Sequence, residues 1–421
     1  MQFMNNFQNV SKLNYRNSNT TPHTTPSVFM STVRSAGVMA LLGTLAAKCC
    51  RSLLSKPCKG LFCGVLRPSW IQGCIGAKRH LLSEDVIKLQ DFQQKKLAVA
   101  HLVTGSDGNY IELFREKMQR NELILRDDLK LLLHLCQTPD DMLVAQKAIY
   151  RYHAENRNLL YGDFKFGPLF MRLCYELGME GMAAATLTDK NMKGFFIDST
   201  SFNIAINMLF VKGSYEGAMD VLRTMRSQGV PFNKDTLTLA MATCYKLNTA
   251  ECYRISMSLI EEEQTRGQFI PRHAYCFAVA LALRRNDLEK AHSMYSQIMS
   301  TDSKLCQNFN VMILTMSGDV LGAVSVLSAA ISPSRSFFVK KPEFSKEVID
   351  LLVLRSEGTP FKMKAEQVVT QLQQAGQVTQ ETLDDMLCRV PTGKRKPVVM
   401  EVVRRTSRRT RRSLQSNLLS E

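Results

Sequence analysis

The stretch "FNIAINMLFVKGSYEGAMDVLRTMRSQGVPFN", Phe202 to Asn233, carries two amphipathic faces hinged at one glycine, and the chain says it again. Phe202, Ile206, Leu209 and Phe210 share one helical face; Ala218, Val221, Leu222 and Met225 share a second. Gly213, between them, suits the left-handed residue that ends a helix, and Ala218 is small enough for close helix approach. A lone hairpin of this kind cannot bury both its faces, so it constrains the chain to supply neighbours.

Those neighbours recur at a fixed spacing. A shift of 35 residues toward the N-terminus places Gly213 on Gly178, Ala218 on Ala183, Gly229 on Gly194 and Asn233 on Asp198; a second shift reaches Ala148. Toward the C-terminus, "HAYCFAVALALRRNDLEKAHSMYSQIM" matches with Tyr275 for Phe202, Asn286 for Gly213, Ala291 for Ala218 and Ile298 for Met225. Asn substitutes for Gly in left-handed turns. A degenerate unit lies between, with Tyr253 at the small-residue position. Gly318 and Ala323 mark a unit over 304–330, and Ala365, Leu372 and Gly376 mark another after the insertion "SPSRSFFVKKP". The pattern predicts an all-α chain, a right-handed α-solenoid of helix-turn-helix repeats. Its expected organisation is a leader over 1–83, a helical cap over 84–129, the array over 130–388 and a basic tail over 389–421. Within the array the units fall at 130–164, 165–199, 200–234, 235–271, 272–303 and 304–388, the last with an insertion near 331–343 and a degenerate end.

Charge divides along the same lines. Residues 1–83 hold ten Lys or Arg and no Asp or Glu, and residues 389–421 hold ten against Glu401 and Glu421. Of the net +16, the ends therefore carry +10 and +8, which leaves the middle close to neutral. An acid-free, Ser/Thr/Arg-rich N-terminal region has the character of a mitochondrial transit peptide, with translation starting at Met1 or at Met30. The apolar run "SAGVMALLGTLAA" has the length of a secretory h-region, but Arg34 and Lys48 bracket it and the basic composition continues beyond. No stretch offers the 18 or so apolar residues of a membrane span. Of twelve cysteines, five lie in the leader and seven are scattered singly with no Cys-x-x-Cys, which points to buried thiols in a reducing compartment and not to a metal site. No clustered carboxylates of a metal-dependent nuclease and no Gly-rich phosphate loop appear, so neither enzyme activity nor a cofactor is expected.

The ending "MRSQGVPFN" and the opening "TSFN" resemble the pentatricopeptide pattern, an aromatic-Asn pair early in the first helix and a Met-x-x-x-Gly ending. The strings "LSEDVIKLQDFQQKKLAVA", "AIYRYHAENRN", "FGPLFMRLCYEL" and "STSFNIAINMLF" are similar to a vertebrate mitochondrial branch of that family, over residues 78–421. This branch is related to a pentatricopeptide protein of the mitochondrial small ribosomal subunit. The resemblance implies a monomeric matrix protein that binds single-stranded mitochondrial RNA, acts with RNA-processing enzymes in transcript maturation, and supports the respiratory chain. Docking on the mitoribosome is the rival implication.

In the family, first helices line a groove, and each unit presents one polar side chain near the start of its first helix and one at its last position to a base. By position the first set is Pro168, Asn203, Thr238, Cys276, Asn308 and Asp350, and the closing set is Asp198, Asn233, Pro271 and Ser303. Thr200, Asp235, His273 and Leu305 stand where the family wedges a small aliphatic between bases. Asn203 with Asn233 is the one complete family-like pair, and Pro168, Cys276 and Pro271 are poor readers. Each polar position reads equally as a surface residue or a helix cap. A separate contact is expected from the tail, where nine Lys or Arg between Lys394 and Arg412, among them Arg404, Arg405, Arg408 and Arg409, would meet phosphates without reading sequence. The same tail suits rRNA, an acidic ribosomal protein, or mere solubility.

Overall fold

The computed structural model describes residues 81–103, 110–156, 164–331 and 341–389. Residues 1–80 of the leader and 390–421 of the basic tail lie outside them, while Leu81 and Leu82 are buried in the folded body. Apolar residues at helical spacing, punctuated by caps and left-handed residues, give eighteen α-helices among the described residues. Two lead in, α1 (Glu84–Ile87) and α2 (Leu89–Val103), followed by α3 (Tyr110–Gln119). Helix pairs then alternate: α4 (Arg126–Leu135) with α5 (Pro139–Glu155), α6 (Gly167–Leu177) with α7 (Glu180–Thr188), and α8 (Ser199–Lys212) with α9 (Tyr215–Ser227). Next come α10 (Lys234–Leu247) with α11 (Ala250–Thr265), α12 (Arg272–Arg284) with α13 (Leu288–Ser296), and α14 (Lys304–Ser317) with α15 (Val320–Ile331). A seventh pair, α16 (Lys346–Ser356) and α17 (Lys362–Gln374), precedes the short α18 (Leu383–Leu387). The stretch 304–388 thus holds two helix pairs and a returning segment. Strands β1 (Phe344–Ser345) and β2 (Val378–Thr379) pair in parallel on either side of the seventh pair. No described helix is long and apolar enough to cross a membrane.

The punctuation follows the residues that allow it. Gly178, Gly213 and Gly318 end α6, α8 and α14 with φ of 68°, 82° and 89°, and Asn286 takes φ 57° after α12. Asn248 ends α10 at φ 48°, 35 residues beyond Gly213, so the degenerate unit keeps the period with Asn in place of Gly. The small positions Ala148, Ala183, Ala218, Ala291, Ala323 and Ala365 are all 0% exposed, each in a second helix packed on its partner or neighbour. Tyr253 stands at the same position in α11, half-buried, and donates from its hydroxyl to Asp287 of the next unit at 2.5 Å. Each first helix packs on the next, α6 on α8, α8 on α10, α10 on α12, α12 on α14 and α14 on α16, which makes an α-solenoid.

The first helices α8 and α10 are buried on every side. Ser201–Phe210 in α8 and Thr236–Tyr245 in α10 are each ten consecutive buried residues. A helix of this kind belongs inside a body and not on a surface. Neighbouring first helices flank α8, second helices back it, and the segment around α1 lies on its remaining face, where Leu81 N donates to Asn207 Oδ1 at 3.2 Å.

Candidate nucleic-acid interface

The closing residues Asp198, Asn233 and Ser303 are the N-caps of α8, α10 and α14, one per unit at the same helical position. Asp198 accepts from Ser201 N at 2.9 Å, Asn233 from Thr236 N at 2.8 Å and Ser303 from Cys306 N at 3.2 Å. Each satisfies backbone donors that a helix start would otherwise leave unpaired. Pro271, before α12, has no such side chain.

The residue five positions after each cap was expected to face a base, and here the structure corrects the sequence reading. Asn203 is 1% exposed; its Nδ2 donates to Asn233 Oδ1 at 3.2 Å and its Oδ1 accepts from Thr236 Oγ at 2.7 Å. Asn308 is 0% exposed, donating to Lys304 O and Glu343 O and accepting from Ser345 N at 2.7 Å. Cys276 Sγ lies 3.9 Å from Cys306 Sγ, and the buried Thr238 hydroxyl donates to Lys234 O at 2.9 Å. The physical reason is the flanking of each first helix by the next: five residues beyond the cap, the side chain falls in the seam between units. Asn203–Thr236, Cys276–Cys306 and Asn308–Ser345 are ties of one kind. Asn233, itself exposed, also donates to Ser199 Oγ at 2.9 Å, so both amides of the family-like pair are held within the protein. Asp350 is exposed on α16.

Both ends of the described chain cover the first-helix face. At the N-terminal end, Arg172 on α6 donates from Nε to Ile87 O at 2.6 Å, and Lys96 bridges Glu176 at 2.7 Å and Cys136 O at 2.9 Å. At the C-terminal end, α18 returns onto α12 and α14. Lys246 holds both carboxylate oxygens of Asp384 at 2.7 Å, Lys304 pairs with Glu343 and Glu381 at 2.8 and 2.9 Å, and Arg284 stacks 3.8 Å from the Tyr245 ring centroid. His273, at an expected wedge position, donates instead to Leu387 O at 2.6 Å. Burial holds its imidazole below the usual histidine range, against the opposing pull of that hydrogen bond. Asp235, at another wedge position, is raised by burial.

An opening lies beside this face. A cavity of about 490 Å³ lies between the link from α1 to α2, α4 and the start of α6; Pro168 and Thr200, from the reader and wedge sets, are on its wall. Five cations also line it, Lys88, Lys95, Lys130, Lys165 and Arg172; the sequence does not reveal them as a group because they are far apart and vanish into a near-neutral total. Arg404, Arg405, Arg408 and Arg409 lie outside the described residues.

Comparison with known proteins places this architecture. Residues 176–298 match the family model described as pentatricopeptide repeat-containing protein. Three relatives each carry the name Pentatricopeptide repeat-containing protein 2, mitochondrial. The Danio rerio protein is 50% identical over 86% of this chain and 94% of its own length, and the Xenopus laevis protein 46% over 82% and 91%. The Homo sapiens protein is 44% identical over 82% of this chain and 90% of its own. With seven stacked helix pairs, caps in the family's closing positions and relatives matched nearly end to end, the chain belongs to the pentatricopeptide repeat family.

Proposed function

We propose that this protein binds single-stranded RNA in the mitochondrial matrix and acts in the maturation or stabilisation of mitochondrial transcripts, presenting them to separate processing enzymes and so supporting the respiratory chain. The observation that carries this reading is the register of Asp198, Asn233 and Ser303, hydrogen-bonding side chains at the same cap position of α8, α10 and α14. Such a group at the start of α8, α10 and α14, interrupted at α12 by Pro271, resembles the one-nucleotide-per-unit geometry of repeat proteins that hold single strands. Because Asn203 and Asn308 are spent on ties between units, base identity is weakly read and backbone contacts dominate. The relatives' names supply the mitochondrial setting.

A second reading has its own observation. The first-helix face is covered by the protein's own segments at α1 and α18, as suits a solenoid that docks on a protein or ribosomal surface through its outer faces. The two separate in a binding experiment with purified full-length protein and one sequence offered as single strand and as duplex. Clear preference for the single strand supports RNA holding. Equal, weak binding to both, with co-sedimentation on the small ribosomal subunit, favours docking.

A further inference from the structure

Lys88, Lys95, Lys130, Lys165 and Arg172 converge on the cavity of about 490 Å³, and Asp91 is the one carboxylate on its wall. They come from separate elements: Lys88 from the left-handed link between α1 and α2 (φ 55°), Lys95 from α2, Lys130 from α4, Lys165 from the approach to α6, and Arg172 from α6. Nearby cations that serve the fold are paired, Lys96 with Glu176 and Lys117 with Asp128. Among the described residues no ion pair neutralises Lys88, Lys95, Lys130 or Lys165. Gathering unpaired like charges around a cavity opposes folding through self-repulsion and focuses a positive potential into the opening. All four lysines are exposed, so solvent screens their repulsion, and no ion pair among the described residues uses them; an anionic ligand in the opening would.

The cavity offers more than charge. Phe164 lies half-buried on its wall, with Lys130 Nζ 5.1 Å from its ring centroid, and Phe166 packs edge-on at 4.8 Å to fix the ring. An aromatic face beside cations is the arrangement on which single-stranded bases stack while their phosphates are neutralised. The volume lies within the range of ligand pockets. We propose that this cavity is a binding site for one or two nucleotides of single-stranded RNA, with Lys95, Lys130 and Lys165 taking phosphates and Phe164 carrying a stacked base. The inference rests on the RNA-holding reading and gives it a location at the N-terminal end of the array, where neither sequence-specific groups nor the covered first-helix face is needed.

The test uses full-length protein and a fluorescent 12-nucleotide polyuridine, with anisotropy titrations over a series of KCl concentrations. Lys130→Gln/Lys165→Gln is expected to weaken binding tenfold or more at low salt. It should also flatten the slope of log affinity against log salt by about 1.4, since each single-strand phosphate contact contributes roughly 0.7. Phe164→Leu should weaken binding by about tenfold with the slope kept, because stacking releases no counterions. Lys362→Gln/Lys364→Gln, exposed on α17, should behave as wild type. Thermal melting of each variant establishes that it is folded, and ultraviolet crosslinking of the wild type with peptide mapping should place uridine adducts on residues 164–172. Folded variants that bind polyuridine like wild type, with adducts elsewhere, overturn this site and leave the RNA reading standing. A wild type that binds no polyuridine at any salt overturns both.

Discussion

Asn203→Ala separates a packing role from a reading role at one side chain. The carboxamide is 1% exposed and makes two hydrogen bonds across the seam between α8 and α10, to Asn233 Oδ1 at 3.2 Å and from Thr236 Oγ at 2.7 Å. Truncation leaves no orphaned donor: the Thr236 hydroxyl keeps Asn233 Oδ1 at 3.0 Å, and Asn233 Oδ1 keeps the backbone N–H groups of Asp235 and Thr236. The loss is therefore two net hydrogen bonds at about 1 kcal/mol each, and the small void left behind brings the total to about 2–3 kcal/mol. Urea unfolding of wild type and variant measures it. Amide exchange should show the loosening concentrated in α8 and α10, because repeats couple to their neighbours. Affinity for different RNA sequences should change uniformly, if at all. Unchanged stability together with a loss of about 1–3 kcal/mol on one preferred RNA alone would refute the packing role and restore Asn203 as a base reader.

Three further outcomes follow from the same geometry. Ala218→Leu places three extra carbons at a fully buried contact between α8 and α9 and should cost about 1–3 kcal/mol, read as a lower urea midpoint; an unchanged midpoint means the interface is elsewhere. Gly167→Ala brings a Cβ to 2.5 Å from Ser201 Oγ and 2.9 Å from the Phe196 ring, so the buried Ser201 hydroxyl and Phe196 ring must shift, at a net cost of about 1–2 kcal/mol after the gain from a stiffer unfolded chain. His134 and His273 are both lowered from the usual 6.5, chiefly by burial, so the unfolded chain binds their protons more readily. Their contribution is complete above pH 6.5 and is lost as pH falls from 6.5 toward the lowered folded values; His134→Gln/His273→Gln should flatten the fall in stability between pH 7 and 5.

The array was legible because its determinants are local and periodic. Gly178, Gly213, Gly318 and Asn286 mark helix ends that only a few residue types permit, and the alanines five residues later mark close approach. Asn248 carried the same signal, but with Tyr253 in the small position the unit read as degenerate. Covering of the first-helix face was not legible, because it depends on contacts such as Leu81 with Asn207 and Lys246 with Asp384, 126 and 138 residues apart. One local sign was present: "FNIAINMLF" is apolar on more than one face, as befits a helix with no open side. Reading Asn203 and Asn308 as base-facing assumed an open groove. The cationic cavity was hidden for a different reason, since a bulk charge near neutral in the middle of the chain says nothing of where five cations meet.

The central claim, that this solenoid holds single-stranded RNA in mitochondria, is tested most directly by crosslinking the protein to RNA in isolated mitochondria and sequencing the bound fragments. The account predicts short single-stranded stretches of mitochondrial transcripts, crosslinked through peptides around residues 164–172 and the caps at Asp198 and Asn233. Broad ribosomal RNA coverage from protein that sediments with the small subunit, or no RNA at all, would contradict it.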